Sequence, residues 1–244
     1  MGVEINGPKI LFTIDILGGI NITESIVNQW VVIALITAGC IFLTRDLRVW
    51  NPGKRQMIAE KAVMFVRNLV KENMGPQWMN YTAFIATVLL FSAVSSMLSI
   101  TGLRSPTADF SVTLAMALVT FTLIQYYNMK SKGFLGFFKR FLEPIFVMAP
   151  MNVIGEVATP MSMSLRHFGN IASGTVITAL VYGALSALSA KLLGWIPNSF
   201  LSGIPILQVG VPAVLSLYFD LFSSCIQAYI FCMLTMANVA SAAE

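Results

Sequence analysis

The sequence predicts an all-α protein that crosses a membrane about five times. Three observations carry that reading: long apolar segments, a shortage of charge, and basic residues gathered into two blocks. Of the 244 residues, 57% are hydrophobic and only 11% are charged. Soluble domains average roughly 25% charged residues, so this chain could not cover itself with a polar surface in water.

The elements follow in chain order. Residues 1–25 read as an extracytoplasmic N-terminal segment and residues 26–244 as a single transmembrane helical domain. The first of these mixes polar and apolar types, with Glu4, Lys9, Asp15 and Glu24, and does not read as a signal peptide. A spanning helix needs about 20 mostly apolar residues, which 26–44 supplies. Residues 54–72 are different. Ile58, Ala62, Phe65, Val66 and Leu69 fall at helical spacing with Arg55, Glu60, Lys61, Arg67 and Lys71 between them. That pattern predicts an amphipathic cytoplasmic helix, lying on the membrane or packed beneath the bundle.

Further spans are expected at about 81–101 and 110–128, joined by the polar link 102–109. The second basic block, Lys130, Lys132, Lys139 and Arg140, follows. Residues 144–188 are too many for one perpendicular crossing of a ~30 Å hydrocarbon core at 1.5 Å per residue. This segment is expected to tilt strongly, or to kink near Pro150 and Pro160. After a loop at 194–205 rich in Pro, Gly, Ser and Asn, a last long span covers about 206–240.

Charge gives the orientation. Seven Lys/Arg lie between Arg45 and Lys71 and four between Lys130 and Arg140, against Lys9, Arg104 and Lys191 on the other side. The basic side is expected in the cytoplasm, with the N-terminus outside and the C-terminus inside. The net charge of +4 comes mostly from these blocks, so anionic lipid headgroups are the expected partner and nucleic acid is not. Cys40, Cys225 and Cys232 sit in apolar runs without metal-ligand spacing and read as small core residues. No metal cluster or cofactor motif is present in the sequence, nor a convincing nucleophile and base for a membrane enzyme.

Arg166 stands near the middle of the fourth span. An arginine at the bilayer centre costs about 2.5–3.5 kcal/mol on insertion scales. Deprotonation offers no relief, because its pKa exceeds about 12. One reading is a static pair with Glu156 or Asp220. The other is a fixed cation in an ion pathway, lowering the pKa of a mobile carboxylate on another subunit. The surroundings favour the pathway. Ser162, Arg166 and Asn170 share a helix face at four-residue spacing. Gly169 and Ser173 make a small-residue surface for a close helix. Asp220, Ser223 or Ser224, and Gln227 form a second polar stripe. Depth places Glu156 toward the cytoplasm and Asp220 toward the outside, one acid on each side of the cation.

The stretch Ser164-Leu165-Arg166-His167-Phe168-Gly169-Asn170 resembles the arginine signature of subunit a of bacterial F-type ATP synthases. Pro106-Thr107-Ala108-Asp109 with Thr113 and Ala115-Met116-Ala117-Leu118, the stretch 130–137, and Ile226-Gln227-Ala228-Tyr229-Ile230-Phe231 with Leu234-Thr235 agree with it. The resemblance implies a non-catalytic stator subunit of the bacterial plasma membrane. It would abut a ring of small hairpin c subunits, with peripheral-stalk b subunits and the rest of the synthase as further partners. Ions would enter by one half-channel, ride the ring and leave by the other, with Arg166 preventing a short circuit. It further implies that the last two helices tilt along the ring, and that Asn170 and Gln227 are the polar residues beside the arginine. The chain departs from the pattern at His167, where Leu is common, and at Thr175, where many relatives have an acid or histidine. Asp220 then becomes the main outer-path acid. Glu156 matches an acid of some bacterial members, while Asn152 occupies the commoner position. His167, the only histidine, reads as a structural residue or a proton relay. The competing reading is a self-contained ion-coupled transporter, which lacks the expected internal repeat. The coupling ion, H⁺ or Na⁺, is not readable from this chain.

Overall fold

The computed structural model describes residues 9–14, 20–50, 52–142, 146–193, 214–215 and 217–243. Its helices are α1 (Glu24–Thr44), α2 (Lys54–Met74), α3 (Thr82–Met97), α4 (Phe110–Leu142), α5 (Ala149–Leu193) and α6 (Ser224–Ala243), the last preceded by a π-helical turn, Leu217–Ser223. Among the described residues five helical stretches are long and apolar enough to cross a membrane: Glu24–Thr44, Pro76–Thr101, Phe110–Gly133, Ala149–Ser189 and Leu217–Ala243. The protein is an all-α polytopic membrane protein. Large apolar side chains such as Trp30, Leu35, Ile41, Leu118 and Leu180 face outward from these helices, as lipid-facing surfaces require.

The chain departs from the sequence reading in several places. Ile10–Ile14 (β1) and Ile20–Thr23 (β2) pair as a short antiparallel hairpin before α1, with a Thr13–Asn21 side-chain bond of 3.0 Å. Helix α4 runs past the expected end at 128 into the second basic block. It bends at Gly133, where φ is +70°, a conformation that glycine alone adopts without steric cost. Helix α5 continues through Pro160 without a break. Proline has no N–H, so the carbonyl of Glu156 loses its intrahelical partner there. The loop at 194–205 and the expected start of the last span, 206–213, lie outside the described residues. Of the cysteines only Cys232 is in the core; Cys40 and Cys225 are exposed on the helix surfaces.

Helix α2 packs against the bundle. Its buried face is Val66, Leu69, Val70 and Met74, meeting Ile85 of α3, Ile124 of α4 and Met236 and Val239 of α6. Ile58 and Phe65, which share the sequence pattern, point outward instead. This core gathers the end of α2, the start of α3 and the ends of α4 and α6 at one end of the bundle, called here the basic end. At the opposite end, hydroxyls tie the link to its neighbours. Ser105 Oγ donates to the carbonyl of Ser95 at 2.7 Å, Thr107 bonds Ser96 at 3.1 Å, and Asn28 Nδ2 donates to the carbonyl of Arg104 at 2.8 Å. With no water in the hydrocarbon core, polar groups near it need such internal partners.

Met236 is fully buried where α2, α3 and α6 meet. Met236→Ala should therefore destabilise the detergent-extracted subunit by about 2–5 kcal/mol, read as a lowered thermal midpoint. The exposed Met57 changed to Ala should leave it within about 0.5 kcal/mol.

Candidate functional site

Helices α5 and α6 lie antiparallel, and two contacts fix how they meet. Gly174 faces Phe219 so closely that a Cβ added at Gly174 would lie 3.1 Å from the Phe219 Cβ. One helical turn away, Ser223 Oγ donates to Asn170 Oδ1 at 2.7 Å. Continuing that register by one turn of each helix brings Arg166 level with Gln227. Both contacts involve the π-helical turn, whose wider winding re-aims side chains. It also decides between the two serines of the polar stripe. Ser223 reaches Asn170, while Ser224 Oγ donates back to the carbonyl of Phe219 at 3.1 Å.

Arg166 lies on the outer face of α5 and is exposed. It is central in its segment, as the sequence places it, but the bundle does not enclose it. Among the described residues it makes no ion pair, and its side chain lines an open cavity of about 290 Å³ with Ser162, Thr159, Leu234 and Asn238. The rest of that face is small. A Cβ added at Gly155 or Gly169 would meet nothing within 4 Å, and Ser162 and Ser173 are exposed. Among the described residues nothing covers the small surface at Gly169 and Ser173, and the close approach falls instead at Gly174.

A second cavity of about 230 Å³ lies toward the basic end, lined by Glu156, Lys132, Asn128, Thr159, Asn238 and Ser241 among others. Thr159 and Asn238 line both cavities, so the two adjoin between the basic block and Arg166. Asn238 was absent from the sequence-derived site. It lies three turns beyond Gln227 on the same helix, and that spacing was the available signal.

The remaining candidates are distributed around this axis. Gln227 is 7% exposed and makes no side-chain hydrogen bond to the described residues. Asn170 has its Nδ2 buried without a partner among the described residues. Thr175 is exposed, with its hydroxyl donating to the carbonyl of Ala172 at 2.8 Å. The backbone of Asp220 belongs to the π-helical turn; its side chain lies outside the described residues. His167 points away from Arg166 into the bundle, buried against Phe231, with Nε2 3.1 Å from Ser92 Oγ. Next to it Ser164 meets Thr113 at 3.3 Å. These buried contacts fix the rotation of α5 and leave Arg166 facing out. No group of His, Cys, Asp and Glu suited to a metal occurs among the described residues.

Residues 26–239 match the family model described as ATP synthase A chain. The chain belongs to that family. It is 36% identical to ATP synthase subunit a of Bacillus velezensis, over 92% of this chain and 93% of the relative. The Bacillus subtilis protein is 35% identical over the same shares. A protein of Propionigenium modestum named ATP synthase subunit a, sodium ion specific, is 29% identical over 96% of this chain and 84% of its own length. As a member of the ATP synthase A chain family, the protein is an ion-translocating, non-catalytic membrane component that works within the ATP synthase complex.

The α5–α6 register makes a direct prediction. In a cysteine-free background, Asn170→Cys with Ser223→Cys should be joined efficiently by a short thiol cross-linker. Adding Gly174→Leu should cut the yield by more than half, because the side chain collides with Phe219. Unchanged yield would mean that the helices do not meet at Gly174.

Proposed function

We propose that this subunit is the stator ion channel of its synthase, with two half-channels divided by Arg166. The observation that carries the reading is an exposed cation at mid-segment. Arg166 has no carboxylate partner among the described residues and sits on an uncovered, small-residue face. Its charge is permanent, and leaving it unpaired in hydrocarbon costs about 2.5–3.5 kcal/mol. A counter-charge from outside this chain relieves that cost. In this account the membrane carboxylates of a ring of c subunits supply it, passing close over Gly155, Ser162, Gly169 and Ser173.

Each arriving ring carboxylate meets the guanidinium and loses affinity for its bound ion, because the nearby positive charge favours the ionised carboxylate. The released ion leaves by one path while the next enters by the other. The adjoining cavities at Asn238, Thr159 and Glu156 support an aqueous path at the basic end. Asn170, Ser223, Gln227 and the turn carrying Asp220 are assigned to the opposite path, with Thr175 at its margin. His167 is assigned a structural role, positioning α5 through Ser92. The basic end faces the cytoplasm of a bacterial cell, the N-terminus lies outside the plasma membrane, and b subunits hold the stator in place. A self-contained transporter, with Arg166 binding an anionic substrate or paired with Asp220 or Glu156, is the weaker reading because the sequence lacks the internal repeat on which such folds are built.

Arg166→Ala should reduce ion-driven ATP synthesis in membrane vesicles below detection, while the detached soluble sector still hydrolyses ATP. Coupled synthesis at the wild-type rate in that variant would overturn the proposal.

A further inference from the structure

At the basic end, where α1 gives way to α2, lies a third cavity that the ion path does not use. It measures about 350 Å³ and is lined by Phe42, Leu43, Asp46, Arg48, Lys54 and Arg55, with Gly53 and Gln56 completing it. Three cations face one carboxylate, and no ion pair joins any of them among the described residues. Arg55 stacks on the Phe42 ring, 4.2 Å from its centroid. Gln56 holds the corner in shape: its Oε1 accepts from the Arg48 N–H at 2.8 Å, and its Nε2 donates to the Arg48 carbonyl at 2.9 Å and to Glu60 Oε1, a second carboxylate just outside the cavity lining, at 2.7 Å. The backbone carrying Arg48 is therefore held against the start of α2.

The location narrows what could occupy this cavity. Phe42 and Leu43 belong to the last turn of a spanning helix, so the cavity opens at the membrane boundary. Its surroundings are apolar and uncovered. Leu47, Val49 and Trp50 are 61%, 94% and 88% exposed, and Ile41 and Met57 are also exposed. A soluble anion would satisfy the cations but leave these side chains in water. A phospholipid satisfies both, and exposed tryptophan beside basic residues is the usual composition of a membrane-interface anchor.

We propose that this corner binds an anionic phospholipid, with its phosphate-bearing headgroup held by Arg48, Lys54 and Arg55 and its acyl chains lying along Phe42, Leu43 and Trp50. Arginine binds phosphate oxygens through a planar fork of donors, whereas lysine contributes a point charge. The inference requires only that α1 spans the membrane, so it stands or falls separately from the half-channel reading.

The test uses the intact synthase purified in detergent and titrated with phosphatidylglycerol, bound lipid being read by native mass spectrometry. Each basic residue near an anionic surface contributes about a fivefold effect, so replacing Arg48, Lys54 and Arg55 together by Gln should weaken retention on the order of a hundredfold. A control removing the same charge from exposed positions of α2, Lys61, Arg67 and Lys71 to Gln, should change it less than fivefold. Phosphatidylcholine of the same chains should bind far more weakly, and millimolar inorganic phosphate should not displace the lipid. Equal losses in the two triple variants would reduce the effect to general surface charge and overturn the site. Displacement by inorganic phosphate would make it a phosphate site instead. Absence of lipid from the intact complex, with binding only to the isolated subunit, would show that a protein partner covers the corner and would also overturn the proposal.

Discussion

The antiparallel contact between α5 and α6 is the constraint on which the functional arrangement depends. Two long apolar helices have no hydrophobic reason to associate in lipid, so their register must come from shape and hydrogen bonds. Gly174 supplies the shape by leaving room for the Phe219 side chain, and Ser223 supplies the bond to Asn170. The π-helical turn is what lets both contacts occur within one stretch of chain. From this register follow the level of Gln227 opposite Arg166 and the place of Asn238 in the lining of two adjoining cavities.

The arrangement separates what is pinned from what is left open. On the inward side of α5, His167 meets Ser92 and Phe231, and Ser164 meets Thr113. On the outward side, Arg166 stands among small residues with space around them. A buried, paired arginine would be a static element whose charge was already neutralised. An uncovered one keeps its field available to a charge that arrives and departs. The Asn170 Nδ2 and the Gln227 side chain, which have no hydrogen-bond partner among the described residues, fit the same logic, since polar groups without fixed partners in a low-dielectric region can serve water or a passing ion.

Much of this was legible in the residues. Span number, the amphipathic α2 and the polar stripes came from composition and 3.6-residue spacing, because lipid enforces those patterns strongly. Arg166 was conspicuous because a charge in an apolar run is rare. What the sequence could not supply was rotation and register. Periodicity did not say whether Arg166 faced the bundle or its outside, nor that Val66 and Val70 rather than Ile58 and Phe65 would be the inner face of α2. Both faces of a membrane helix are apolar, so hydropathy alone cannot separate core from lipid. The same ambiguity explains Cys40 and Cys225, apolar neighbours included, lying on the surface. The choice of Ser223 over Ser224 was hidden for another reason: a π-turn changes the period on which the stripe was read. The β1–β2 hairpin escaped because its strands are only five and four residues long.

The central claim is that the face of α5 carrying Arg166 is uncovered in this subunit and covered by the ring in the synthase. It is tested most directly by placing a single cysteine at Ser162, one turn from the arginine, in a cysteine-free background. A maleimide dissolved in the membrane should label Ser162→Cys readily in the isolated subunit and at least tenfold more slowly in the assembled synthase. A photoactivated cross-linker at that position should capture a ring subunit. Equally fast labelling in both states, with no ring adduct, would contradict the account.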